Sequence, residues 1–133
     1  METLFTTDFV EIHHKADYLL IVWKKYANDA DYQACISMQL ELATQHHIYK
    51  MVVDTRKFRG TSIESRTFTN DAFNELANKR ERHILTGLVT GDDVTGHFSM
   101  DKILQNSIEE EKYYKRFTSV SEAEEWIQTA EVV

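Results

Sequence analysis

The chain has 133 residues, 42% of them apolar and 28% charged, with a net charge of −7. Such a length holds one domain, taken as residues 1–133, with a core that needs neither disulfide nor metal, and the acidic balance excludes general nucleic-acid binding. A lone cysteine, Cys35, excludes an internal disulfide, and no apolar run nears the about 18 residues of a membrane span, so a cytoplasmic domain without an integral membrane segment is expected.

In chain order, Phe9, Glu11 and Ile12 open a strand-like stretch, and Tyr18–Trp23 forms a second. The short polar link His14-Lys15-Ala16-Asp17 joins them as an antiparallel hairpin. Asn28-Asp29-Ala30-Asp31 offers caps for a helix whose apolar side carries Tyr32, Cys35, Ile36, Gln39, Leu40, Leu42 and Ala43 at a 3.6-residue period. Residues 49–53 are too short for a helix and read as a buried strand. Thr61 or Ser62 caps the next helix, with Thr61-x-x-Glu64 at capping-box spacing and Phe68, Ala72, Phe73, Leu76 and Ala77 as its core face. Residues 84–89 form another strand, ending at Gly91-Asp92-Asp93. A third helical segment carries Phe98, Met100, Ile103 and Leu104, residues 113–117 form a last strand, and Ser119 or Ser121 caps a helix with Ala123, Trp126 and Ile127.

The order β-β-α-β-α-β-α-β-α predicts an α/β fold, with a mostly parallel five-stranded sheet and about four helices. Ligands in such folds favour the carboxyl ends of strands. The stretch "MVVDTRKFRGTS", residues 51–62, lies at one such end and is the first place to look.

Several chemistries fail on residue types. Asp54 ends the middle strand as a phosphoacceptor would, but the neighbouring strand ends in Lys24 and Lys25, with no acid to hold the required cation. His13-His14 and His46-His47 are adjacent pairs. Neighbours point to opposite faces of a strand and lie about 100° apart on a helix, so neither pair converges on one ion. With no H-E-x-x-H or C-x-x-C, no metal is expected, and His46 and His47 suit the negative end of a helix. Cys35 lies in an apolar stripe and reads as a small core residue, and Lys79 to His83 read as a basic helix end. No catalytic residue or cofactor site is expected.

Two readings of the charged loop remain. In one, Arg56 and Arg59 fork onto an anion beside Lys57 and the free N–H groups of the following helix. In the other, Arg56 pairs with Asp54, Arg59 is solvated, and Thr61 and Ser62 only cap. Ser62 is also a candidate phosphorylation site, since negative charge is tolerated at a helix N-terminus.

The hairpin, the alternating units and the phrases "YLLIVW" (Tyr18–Trp23), "MVVDTR" (residues 51–56) and "SEAEEWI" (residues 121–127) resemble the SpoIIAA-like superfamily. That group joins STAS domains to CRAL-TRIO/SEC14-like lipid-binding domains, and the likeness is greatest to small bacterial STAS-like proteins. Antagonist-type STAS domains carry an Asp-Ser-Ser/Thr-Gly phosphosite where this chain has Arg59-Gly60-Thr61-Ser62-Ile63, without the preceding acid or the following glycine. The resemblance bears on fold; together with the charged loop and the lack of catalytic residues, the chain is expected to be a regulatory rather than catalytic domain. It would recognise a protein partner or small anionic ligand through Asp54, Arg56, Lys57, Arg59, Thr61 and Ser62. A lipid- or nucleotide-binding carrier is the alternative, and a homodimer is compatible with either.

Overall fold

The computed structural model describes residues 1–58, 62–80, 82–90 and 113–130. Six strands form one mixed sheet in chain order: β1 (Glu2–Thr6), β2 (Val10–Lys15), β3 (Tyr18–Trp23), β4 (Lys50–Asp54), β5 (Leu85–Val89) and β6 (Tyr114–Phe117). The pairings β1–β2 and β2–β3 are antiparallel, while β3–β4, β4–β5 and β5–β6 are parallel. Three helices lie among the described residues: α1 (Asp29–Gln45), α2 (Ile63–Arg80) and α3 (Val120–Thr129).

Side-chain alternation along the strands splits the core in two. Val10, Ile12, Leu19, Ile21, Trp23, Met51, Val53 and Leu88 belong to one cluster, packed with Tyr32, Ile36 and Leu40 of α1 and with Phe68, Ala72, Phe73 and Leu76 of α2. Tyr18, Leu20, Val52, Leu85 and Val89 belong to the other, with Ala123 and Ile127 of α3. β3 and β4 thus carry continuous apolar runs because both faces are covered.

The sheet differs from the expected one in two respects. It has six strands, because the N-terminal segment forms β1, a half-exposed edge strand bulged between Thr3 and Phe5. It is mixed rather than mostly parallel, because the extra strand adds a second antiparallel pairing. The described helices number three, and the expected helix around Phe98, Met100, Ile103 and Leu104 lies outside the described residues, as do Gly91-Asp92-Asp93.

The α1 stripe is buried as the periodicity predicts, and Asn28 is its N-cap, accepting from the Asp31 N–H at 2.9 Å. On α2 the fully buried positions are Ser65, Thr69 and Ala77, whereas Phe68, Ala72, Phe73 and Leu76 are only half-buried. Ser65 and Thr69 are inside because each hydroxyl has a partner: Ser65 donates to Asp29 and Thr69 to the Tyr32 hydroxyl. The polar pair thus joins the rings in packing α2 against its neighbours.

Lys15 and Tyr18 both donate to the Glu124 carboxylate, Lys15 at 2.5 Å, and so tie the β2–β3 hairpin to α3. The hairpin loop is Ala16-Asp17, with Ala16 at φ 48°.

Candidate functional site

β4 delivers Asp54 to the carboxyl edge of the sheet, between Val22 of β3 and Val89 of β5. The next residue is still held by the sheet, since Thr55 donates to the Val89 carbonyl through both its N–H (2.9 Å) and its hydroxyl (2.8 Å). A turn follows, closed by the Phe58 N–H on the Thr55 carbonyl at 3.0 Å. Arg56 and Lys57 occupy its tip and Phe58 is fully buried beneath it. The Phe58 ring lies 5.2 Å from Trp23 and 5.5 Å from Tyr32, whose own rings are stacked at 5.3 Å. Tilted and offset ring pairs at such spacings add to the area buried. The turn is therefore nailed down by an aromatic trio under its charged tip. Burial pushes the Tyr32 hydroxyl up to about 12, against the hydrogen bond from Thr69.

The Asp54 carboxylate is buried and fully engaged by Arg56. It accepts from the Arg56 backbone N–H (3.1 Å), from Nε (2.9 Å) and from Nη2 (2.8 Å). The hydrogen bond and charge of Asp54 raise the Arg56 guanidinium above its ordinary value. This is the pairing that the second reading of the loop expects, and it leaves the guanidinium only partly available to an external anion. Lys57 is exposed and has no ion pair among the described residues. Arg59 and Thr61 lie outside the described residues.

Ser62, one of the two expected candidates, caps α2: its Oγ accepts from the Ser65 N–H at 3.0 Å. The same hydroxyl donates to Asp29 at 2.6 Å, and Ser65 donates to the same carboxylate oxygen at 2.7 Å. These two hydroxyls hold the Asp29 carboxyl below the usual range. The N-termini of α1 and α2 are thus clamped together by one carboxylate. Sequence reasoning passed over Asp29 as one cap candidate among several, and no local pattern links it to a serine 33 positions on.

Two large apolar side chains stand in solvent at this rim. Tyr26, three positions before Asp29, is 56% exposed, and Ile63, the residue after Ser62, is 73% exposed. Apart from Met1, they are the exposed large hydrophobics among the described residues. The loop, the clamp and both apolar residues share the carboxyl end of the sheet.

Away from this rim, the basic end of α2 does more than meet its own dipole. Arg80 donates to the Ile48 carbonyl at 2.9 Å and covers the Tyr49 ring at 3.7 Å, which fastens the helix to the entry of β4. Among the described residues, no helix is long and apolar enough to cross a membrane, and no group of three metal-ligating side chains is assembled.

No protein-family model matches the chain, and no curated protein matches it by sequence. The crystal structure of a DUF3478-family protein from Shewanella loihica PV-4, described as uncharacterised and SpoIIAA-like in fold, superposes with a TM-score of 0.55 at 13% identity. The match covers 92% of this chain and 98% of that one. The resemblance seen in the sequence thus holds at the level of architecture: this chain has a SpoIIAA-like fold.

Proposed function

We propose that the chain is a non-enzymatic regulatory binding domain that recognises a protein partner at the carboxyl rim of its sheet. The observation that carries this reading is the exposure of Tyr26 and Ile63 on a rim whose described residues Asp54, Arg56, Asp29, Ser62 and Ser65 are paired with one another. The clamp between α1 and α2 holds the start of α2, which carries Ile63, and Tyr26 lies two residues before the Asn28 cap of α1. Lys57 and the outer edge of the Arg56 guanidinium add positive charge at the same end of the sheet. The partner that fits is a segment with an apolar side chain flanked by acidic residues. Interfaces of this kind combine an apolar anchor with charge that steers the encounter.

A small anionic ligand is less well supported than a protein partner, because Asp54 already neutralises Arg56. The carrier reading has less support still at this end of the sheet, where Trp23, Tyr32 and Phe58 fill the space under the loop. Phosphorylation of Ser62 would act here by breaking the clamp, since a phosphoryl group would meet the Asp29 carboxylate.

Affinity recovery from the soluble extract of the source cell tests the reading. The wild-type chain is expected to retain one stoichiometric protein, and both Ile63→Asp and Lys57→Glu to lose it while Ser37→Asp, on the exposed side of α1, keeps it. Retention by all three variants would overturn the proposal.

A further inference from the structure

The amino edge of the sheet, opposite the rim, carries a cluster of cations. Lys79, Arg80 and Arg82 fall within four residues at and just beyond the end of α2, and the one acid among them, Glu81, lies outside the described residues. The whole chain has 22 acidic and 15 basic side chains, so the cluster runs against its balance. The ion pairs among the described residues join Lys15, Lys24, Lys50, Arg56 and His13 to carboxylates. Lys79, Arg80 and Arg82 enter none of them.

Both arginines are seated on one ring. The guanidinium carbon of Arg80 lies 3.7 Å from the Tyr49 centroid and that of Arg82 lies 5.1 Å from it. The two carbons are therefore within about 9 Å of each other, inside a Debye length, where like charges repel. Their supports are fixed by the backbone. The Arg82 N–H donates to the Ala77 carbonyl at 3.1 Å, and the Tyr49 carbonyl accepts from the Leu85 N–H at 2.8 Å. Arg80 uses Nη1 on the Ile48 carbonyl, while its Nη2 is buried without a hydrogen-bond partner among the described residues. A buried charged donor in that condition calls for an acceptor. The negative end of α2 supplies only about half a charge against three cations, so the cluster stays positive.

We infer that Arg80 and Arg82, with Lys79 adding charge, bind a phosphate-type dianion at the amino edge of the sheet, as inorganic phosphate or as a phosphate monoester. Guanidinium forks making bonds of about 2.8 Å suit phosphate oxygens, and two forks at this separation can share one phosphate. The dianion offsets the repulsion between them. The Tyr49 ring holds both guanidiniums before the anion arrives, which lowers the ordering cost of binding. An acidic chain disfavours a long nucleic-acid backbone, but a single phosphate meets only this local field. The site lies at the opposite end of α2 from Ile63 and is independent of the rim.

Calorimetric titration in phosphate-free, low-salt buffer tests the site, with inorganic phosphate, adenosine monophosphate and O-phosphoserine as probes. One saturable site per chain is expected, with affinity about tenfold lower in Arg82→Ala and about threefold lower in Lys79→Ala. Lys57→Ala, which removes an exposed cation at the opposite rim, is expected to leave it unchanged. Each variant is first shown to be folded by circular dichroism, and Arg82 and Lys79 are both exposed, so neither change opens the core. Inorganic phosphate binding as tightly as the monoesters identifies the free ion as ligand, and tighter binding of a monoester identifies its class; both results uphold the site. Failure of the folded wild type to bind any of the three probes, binding undiminished in Arg82→Ala, or an equal loss in Lys57→Ala would overturn the inference.

Discussion

Arg56 closes onto Asp54 through three hydrogen bonds, one from its own backbone N–H and two from its guanidinium. The carboxylate is buried at the end of β4 and the guanidinium side chain is 47% exposed, so the pair seals the sheet edge from the solvent side. Removing the arginine strands a buried charge that retains only one N–H donor. Hydrogen bonds to charged groups contribute about 1.5–3 kcal/mol, and the exposure of Arg56 argues for the lower part of that span. Arg56→Ala is expected to cost about 1–2 kcal/mol in urea unfolding, and Arg56→Lys to recover only part of it, because lysine cannot fork onto both oxygens.

Phe58 anchors the same loop from below. Its side chain is fully buried against Trp23 and Tyr32. Phe58→Ala is expected to destabilise by about 3–5 kcal/mol, as for other buried aromatics cut to alanine. Denaturant unfolding measures the loss. An effect below 1 kcal/mol would mean that the trio does not organise the turn.

The Lys15–Glu124–Tyr18 cluster makes a pH prediction. Burial pushes the Glu124 carboxyl up, but the bonds from Lys15 and Tyr18 outweigh it and hold it below its ordinary value of 4.5. A carboxyl depressed in the folded state stabilises fully above its unfolded value and loses that contribution as pH falls through the folded one. Lys15 is raised above 10.5, chiefly by its hydrogen bond to Glu124, so its contribution is present below that value and fades as pH rises through the folded one. Unfolding measured across pH is expected to show both losses in the wild type and to show them blunted in Glu124→Gln.

Ala16 has φ 48° in the two-residue hairpin loop. The left-handed region costs a non-glycine residue roughly 1–2 kcal/mol, and glycine returns part of the gain through its looser unfolded chain. Ala16→Gly is expected to stabilise the protein by about 0.5–1 kcal/mol, read as a higher urea midpoint with an unchanged slope.

Most of the architecture was legible because it rests on periodicity. The stripe from Tyr32 to Ala43, the run Tyr18–Trp23 and the cap at Ser119 all stand where local pattern places them. β1 was missed because an edge strand buries little and shows no clean alternation. The expected α2 face does pack on the core, but Ser65 and Thr69 share it through hydroxyl partners on α1, which no window of α2 contains. The site divides in the same way. The Asp54–Arg56 pair spans two positions and could be anticipated, whereas the clamp of Asp29 on Ser62 and Ser65 and the seating of Arg80 and Arg82 on Tyr49 exist only once the chain has folded.

The claim that the carboxyl rim is a protein-docking surface is tested most directly by photo-crosslinking inside the source cell, with the reactive side chain placed at position 63 or at position 37. The account predicts a discrete adduct of one protein from position 63 and none from position 37. No adduct from position 63, or the same adduct from both positions, would contradict it.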